Sequence, residues 1–367
     1  MNEIVRKSLE HYSNIFGIEK AKEKLEEHKN KIDEYEEKYI FWDKEHLLFM
    51  IDSYFNKANV KMNIENLDDS YDIFYIKKKK KGHRMITSPK EYLKDLQVFI
   101  NENILQICQP SEYAHGYVFG RSIITNALEH CNKKVVLCMD IEDFFGNINR
   151  DSVINVFLNL NYNKEISEIL AAYCMYNNGL AVGAPTSPTI SNMVFKEIDY
   201  KLNHIASEYG FDYTRYADDM TFSSNDSKIG YKKFVSLIKM ELNNMGYKIN
   251  EKKTKIYTKR GKQEVTGLIV NNGIKVKSII KKKVKAEIYY CKKFGIDNHI
   301  RRKYSDEFNK NNLEEIAEEK KRAFIYYIEG KINFIKLVEP LEGKRIEREY
   351  LKMVGKYKEQ LGRNTNG

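Results

Sequence analysis

Two short stretches of this chain set carboxylates where a cation is needed to hold them. In Phe211–Ser224, FDYTRYADDMTFSS, aromatic and β-branched residues on either side of Ala217-Asp218-Asp219 predict two short strands with an acidic pair at the tight turn between them. Adjacent carboxylates at a hairpin tip repel one another, and a bound divalent ion relieves that repulsion. An Asp-rich surface turn is the plain alternative for an isolated pair. A second acidic strand end tips the balance. In Lys134–Gly146, KVVLCMDIEDFFG, the run Val135–Met139 is apolar throughout, as in a strand buried on both faces, and ends directly in Asp140. If that strand lies beside the Tyr216–Phe222 hairpin, Asp140 and Asp218 share hard cations held by oxygen ligands. Two such ions activate an attacking hydroxyl and stabilise a leaving phosphate oxygen, the chemistry of nucleotidyl transfer.

These residues also carry a family resemblance. YADD at 216–219, MDIEDFF at 139–145 and GAPTSPTISN at 183–192 resemble, in order and spacing, the palm motifs of reverse transcriptases of the bacterial retron type. KKKKGHRMITSP at 78–89, YAHGYVFGRSI at 113–123, NALEH at 126–130 and VTGLIVN at 265–271 agree with that family, and the resemblance spans roughly residues 70 to 340. It implies an α+β right-hand polymerase of fingers, palm and thumb with an N-terminal helical extension. The implied activity is RNA-templated DNA synthesis with two Mg²⁺ ions and dNTP substrates. A structured non-coding RNA would serve as template and primer, initiating from a 2′-hydroxyl and leaving a branched RNA–DNA product. Defence against phage and a separately encoded effector protein are further implications of the family.

Carried over residue by residue, the resemblance makes Asp140, Asp218 and Asp219 the catalytic acids and metal ligands, with the carbonyl of Ile141 completing the shell. Arg84 and one lysine, Lys77 or Lys79, would hold the incoming triphosphate, Arg as a planar fork and Lys as a mobile point charge. Phe145 matches the position where a ring crowds the sugar 2′ carbon and excludes ribonucleotides, whereas Phe144 reads as core. Gly183 and Ala184 are small enough for backbone to approach the nucleotide. Lys253 is placed to neutralise or protonate the leaving pyrophosphate, or is one surface lysine among four. Asn126, His130, Val265, Thr266 and Gly267 would contact the structured RNA, with local backbone capping the alternative for Asn126 and His130. Ala181-Val182 depart from the family's usual Pro-Gln, which removes a polar contact near the nucleotide. Asp143 is expected to cap a helix starting near Asn147.

The elements that must position these groups follow from composition and periodicity. The 367 residues divide into an N-terminal helical extension (1–60), interleaved fingers and palm (61–250) and a basic thumb with an RNA-binding hairpin (251–367). In the extension, Ile18, Ala21, Leu25, His28, Ile32, Tyr35 and Tyr39 form a narrow helical stripe, and Phe41-Trp42 with Leu47–Met50 form a docking block. Tyr71–Ile76 and His83–Thr87 read as a hairpin with a lysine-rich tip, followed by helical spacing over Glu91–Cys108. Tyr231–Met245 is an amphipathic helix, and Glu264–Val276 a hairpin turning at Asn271-Asn272-Gly273. Beyond Lys277 the chain reads as basic helices, one of them stopped by Pro340.

Charge is uneven: residues 252–367 hold 30 Lys+Arg against 15 Asp+Glu, although the whole chain is only +10. That asymmetry points to phosphate-backbone binding by the last third, with a solvated basic helical surface as the alternative. The five cysteines lack C-x-x-C spacing, which argues against disulfides and a zinc site. No apolar run has the length of a membrane span and the N-terminus lacks a signal-peptide core, so a cytoplasmic protein with no membrane partner is expected. Two rival functions remain at this level. One is an abortive-infection-type polymerase with untemplated synthesis; the other is a catalytically idle RNA-binding protein on the same fold.

Overall fold

The computed structural model describes residues 3–27, 40–55, 64–77, 82–226, 230–305 and 313–364. At the N-terminus the expected continuous helix is two helices, Glu3–Phe16 and Ile18–Glu27, parted at Gly17 with φ +94°. Ala21 is buried with Leu9, Tyr12, Ile40 and Trp42, and Leu25 packs against them. Ile18 begins the second helix and is 63% exposed, so it drops out of the stripe. His28, Ile32, Tyr35 and Tyr39 lie outside the described residues. The docking block behaves as its composition requires: Phe41, Trp42 and Leu47 are buried. The Trp42 indole N–H donates to Ser8 Oγ at 3.0 Å, the Tyr12 hydroxyl donates to Asp43 at 2.7 Å, and Phe41 meets the Tyr162 ring at 5.9 Å.

Tyr71–Lys77 and His83–Pro89 pair antiparallel, in register from Tyr71↔Pro89 to Lys77↔His83. The tip, residues 78–81, lies outside the described residues. The following helix runs Glu91–Asn103 and buries Leu93, Leu96, Phe99 and Ile100; a single 3-10 turn, Leu105–Ile107, replaces its expected last turns. A four-stranded sheet carries the acidic motifs, in the order Asp212–Tyr216, Asp219–Ser224, Val135–Asp140, Lys255–Thr258. The strand ending in Asp140 therefore neighbours the acidic hairpin, as the chemistry required. Phe222, Phe234, Ile238 and Leu242 are fully buried, the last three on the helix Tyr231–Asn244. Phe234 stacks on Phe211 at 4.3 Å and meets Phe222 edge-on at 5.1 Å. The helix after MDIEDFF starts at Arg150, and its cap is Asn149, whose side chain accepts from the Ser152 amide. Asp143 instead sits in the preceding turns at φ +43°, where its carbonyl accepts from the Asn147 amide.

By compactness the chain resolves into two units. The first comprises Met1–Arg121, Cys138–Phe222 and Lys228–Lys255; the second comprises Ser122–Leu137, Ser223–Ser227 and Ile256–Gly367. In the second unit the expected hairpin turns earlier than its Asn-Asn-Gly suggested. Glu264–Val265 pairs with Leu268–Ile269 around Thr266 (φ +44°) and Gly267 (φ +87°), the consecutive positive φ angles of a type I′ turn. Asn271–Gly273 forms a second small turn, closed by the Ile269↔Lys275 bridge.

Helices Ser278–Phe294, Ile296–Lys303, Leu313–Val338 and Pro340–Asn364 follow, around a core that includes Val284, Ile288, Phe324, Ile328, Ile332, Ile335, Ile346 and Tyr350. Pro340 both ends one helix and opens the next, where its missing N–H costs nothing. Lys281 reaches Glu339, at the junction before the last helix, at 2.8 Å, Lys285 reaches Glu342 at 2.5 Å, and Lys292 pairs with Glu349, giving a ladder from the first of these helices to the last and the residue that leads into it. Each partly exposed pair contributes only about 0–1 kcal/mol, but each also removes a lysine from the free basic surface.

Close approach of the last two helices depends on Gly343. A Cβ there would overlap the backbone of Lys336, whereas one at Gly330 meets nothing within 4 Å. Ala has a helix propensity advantage over Gly of roughly 1 kcal/mol, and overpacking costs about 1–3 kcal/mol. Gly343→Ala is therefore expected to lower stability in a denaturant melt and Gly330→Ala to raise it slightly. Equal shifts of the same sign for both would show that the helices are not packed at Gly343.

Candidate active site

The acidic pair is carried by a two-residue turn whose first residue, Ala217, has φ +56°, while Asp218 does not share a positive φ. That pattern belongs to a II′ turn, which ordinarily takes glycine there; a side chain in this conformation costs of order 1–2 kcal/mol. Strand pairing draws the turn against the end of Val135–Asp140, with the Ile141 amide donating to the Asp218 carbonyl at 3.0 Å and the Asn250 amide donating to the Asp140 carbonyl at 2.8 Å. Asp140 is buried, Asp218 half-buried and Asp219 exposed.

Burial and the charge of Asp218 raise the Asp140 carboxyl above its ordinary range, against the pull of Lys253. Asp219 is pushed up to about 6, by lost hydration and then by repulsion from Asp218 and Asp140. Because Asp219 is surface-exposed, the repulsion is the firmer of these causes. The Lys253 ammonium sits 2.7 Å from Asp140 Oδ2, where partial burial works against its charge and the hydrogen bond to Asp140 more than restores it. A site that crowds carboxylates and draws in an ammonium fits divalent cations completed by water and substrate phosphate oxygens rather than by a protein cage. Among the described residues no group of three or more His, Cys, Asp or Glu is placed to hold a metal ion on its own. Asp140, Asp218, Asp219 and the Ile141 carbonyl are the groups able to hold such ions.

Around the acids, Phe145 is half-buried, 5.4 Å from the buried Phe144 ring and 6.2 Å from Tyr117. Tyr117 is a residue that motif reasoning passed over. It is half-exposed at φ +61°, and its hydroxyl is held above its usual range by burial and by the nearby charge of Asp218, with Arg84 opposing. Arg84 and Lys77 are exposed on the hairpin strands, and Lys79 lies outside the described residues. Gly183 and Ala184 are turned toward that hairpin: the Val182 amide donates to Thr87 Oγ1 at 3.0 Å and the Thr87 amide to the Val182 carbonyl at 3.1 Å. Ala184 is buried, and Ala181, at the departure from the family pattern, is buried with it.

The five RNA-contact candidates lie at different depths. Asn126, His130 and Val265 are fully buried in the free protein. His130 caps the helix Ile123–Glu129, and its Nδ1 lies 2.7 Å from Ser223 Oγ; Val265 is core. Thr266 is half-buried, its hydroxyl donating to the Ile123 carbonyl at 3.2 Å, and Gly267 is exposed. The last two remain reachable from solvent.

A buried network under the acidic turn was also missed. Arg215 and Asp199 are 0% exposed and joined by two hydrogen bonds of 2.8 and 2.7 Å. Asp199 also accepts from Ser111 at 2.5 Å and Tyr213 at 2.9 Å, while Arg215 lies over the Phe195 ring at 5.1 Å. Two signals pointed to it: an arginine at an inward position of a strand, and an aspartate in phase with Leu202 and Ala206 on the buried face of Lys196–Glu208.

Comparison with known proteins identifies the family. Residues 76–319 match the family model "Reverse transcriptase (RNA-dependent DNA polymerase)". The Retron Ec86 reverse transcriptase of Escherichia coli is 35% identical over 252 residues, covering 66% of this chain and 77% of that protein. The Retron Se72 reverse transcriptase of Salmonella heidelberg is 31% identical over 255 residues, 67% of each chain. Among solved structures, telomerase from Candida albicans aligns over 85% of this chain and 68% of that one, at 13% identity and a TM-score of 0.44. No helix of the described residues is long and apolar enough to cross a membrane. The chain belongs to the reverse transcriptase family, has its α+β right-hand polymerase fold, and is an RNA-directed DNA polymerase of the bacterial retron type.

Proposed function

We propose that this polymerase copies a dedicated structured non-coding RNA into DNA, starting from a 2′-hydroxyl of that RNA and leaving a branched RNA–DNA product. The observation that carries the chemistry is the meeting of Asp140, Asp218 and Asp219 at one end of the sheet, with Lys253 drawn onto Asp140. Two Mg²⁺ ions bound by these acids and the Ile141 carbonyl would supply the activated hydroxyl and the stabilised leaving oxygen. Arg84, with Lys77 or Lys79, orients the triphosphate. Phe145, whose ring is half-buried, walls the 2′ side of the sugar. Lys253, kept cationic by its carboxylate neighbour, neutralises the departing pyrophosphate.

In this reading residues 61–250 act as fingers and palm, residues 251–367 as a thumb that grips the template–primer duplex by phosphates and shape, and 1–60 as a helical extension. The thumb's grip rests on the lysines outside its internal ladder. The half-buried Thr266, bonded to the Ile123 carbonyl, and the exposed Gly267 are the points of RNA discrimination that solvent reaches. A role in defence against phage, with a separately encoded effector and in the cytoplasm, completes the proposal on family grounds. Sequencing the DNA product against the copurified RNA tests it directly: DNA unrelated in sequence to that RNA would favour untemplated synthesis instead.

Loss of one metal ligand in Asp218→Asn is expected to reduce DNA synthesis by about 100-fold or more while RNA affinity stays within a few fold. Wild-type synthesis in Mg²⁺ by that variant would sink the metal assignment. Phe145→Ala should raise relative ribonucleotide incorporation by roughly 10–200-fold, the worth of one pocket contact. An unchanged rNTP:dNTP ratio would return Phe145 to a packing role. Because His130 is buried, His130→Ala should cost about 1–3 kcal/mol of stability and impair initiation and primer extension together. Selective loss of initiation with unchanged melting would instead restore a direct RNA contact.

A further inference from the structure

The acidic turn adopts a conformation that its own residues disfavour, since Ala217 occupies the left-handed region at φ +56°. Something must hold it there. The Arg215 guanidinium donates through one terminal nitrogen both to the Ala217 carbonyl and to Asn192 Oδ1, each at 3.1 Å. Asn192 in turn donates to the Gly116 carbonyl at 2.9 Å. Gly116 lies so close to the turn that a Cβ on it would overlap the Ala217 amide nitrogen. The segment before it is tied to the Arg215 backbone, with the His115 amide donating to the Arg215 carbonyl at 2.7 Å and the Arg215 amide to the Tyr113 carbonyl at 2.8 Å. The turn is thus gripped through its carbonyl by Arg215 and closed from one side by Gly116.

A fully buried ion pair is poor evidence for stability alone, because well-packed apolar residues of similar volume serve as well or better. Here every bond of the pair is directed. Asp199 holds two guanidinium nitrogens and leaves the third to face the turn, and Ser111 and Tyr213 satisfy the rest of the carboxylate. Lysine, a point charge without a fork, keeps the charge but cannot hold Asp199, Asn192 and the Ala217 carbonyl in one plane.

We propose that the buried Arg215–Asp199 pair, acting through Asn192 and Gly116, is a positioning device that forces Ala217 into its strained conformation and so sets where Asp218 and Asp219 stand. The inference rests on the proposed roles of those two aspartates, and neither Arg215 nor Asn192 touches substrate. Positioning losses of this kind reach about 100-fold in rate, and groups supporting a metal ligand change metal affinity by roughly 10–100-fold.

The test compares Arg215→Lys, Gly116→Ala and the double variant Arg215→Lys/Ala217→Gly, all as full-length protein. Both single variants are expected to lower kcat by about 100-fold, raise the Mg²⁺ concentration for half-maximal rate by about tenfold, and leave primer–template Kd and dNTP KM within a few fold. Amide exchange at Ile141, which bonds the Asp218 carbonyl, should quicken in both. Glycine at 217 relieves the strain, so the double variant should recover at least about tenfold in kcat and regain amide protection. Near-wild-type kcat, Mg²⁺ requirement and exchange in both single variants would overturn the proposal. So would losses that track a fall in folded fraction and primer–template affinity with no recovery from Ala217→Gly, which would mark the pair as structural only. Asp218→Asn in the same assay separates the two levels of inference: if it is inactive while the Arg215 and Gly116 variants behave as wild type, only the positioning role fails.

Discussion

Mutual repulsion of three carboxylates at one end of a sheet is the constraint around which the first unit is built. Lost hydration, and then repulsion from Asp218 and Asp140, push the Asp219 carboxyl up to about 6. Several features resist it. Adjacent strands fix Asp140 beside the acidic turn, the Ile141 amide ties down the Asp218 carbonyl, and the Lys253 ammonium lies against Asp140. Beneath the turn a second pair of opposite charges carries no such pressure, because Asp199 and Arg215 bond one another and Ser111, Tyr213, Asn192 and the Ala217 carbonyl take up their remaining groups. The arrangement sets an electrostatically frustrated surface site on an electrostatically quiet buried one. In the reading proposed above, activity belongs to the former and geometry to the latter.

Charge is handled differently in the second unit. Its lysine and arginine excess suggests a surface wholly given to phosphate, yet Lys281, Lys285, Lys292 and Lys336 are joined to glutamates on a neighbouring helix. Lys303 and His299 converge on Glu287 at 2.6 Å each. These pairs add little to stability individually, and they register helices that a purely apolar core would leave free to slide. Basic composition in a helical bundle is therefore an upper bound on what a nucleic acid can reach. Counterion release scales with the lysines left unpaired, not with the total.

The two units also differ in what their backbone turns accomplish. In the first, an alanine at positive φ has its carbonyl bonded by Arg215, two residues before it, and Arg215 is itself braced by Asn192, 23 residues earlier in the chain. In the second, Gly267 takes one of the two positive-φ positions freely, and Thr266 in the other is anchored by its hydroxyl bond to the Ile123 carbonyl. A side chain at positive φ needs a scaffold and a glycine does not. This is why the acidic turn is surrounded by directed hydrogen bonds.

The sequence by itself determined the acids, the strands that end in them, the fingers-type hairpin and the helices that follow Lys277. These are local consequences of periodicity, side-chain type and turn chemistry, and strong periodic signals survive whatever surrounds them. The family was legible for the same reason, since its motifs are contiguous runs. Tertiary structure alone decided which motif residues face outward. Asn126 and His130 are four apart at a short helix, and nothing local distinguishes an inward face from an outward one when both residues are polar; both are buried, His130 against Ser223, 93 residues further along the chain. The helix cap fell to Asn149 rather than Asp143 because the intervening turns run longer than the sequence shows. Arg215 and Asp199, 16 residues apart, became partners only through the packing of a helix on a strand, and a buried ion pair is defined by that packing rather than by either residue.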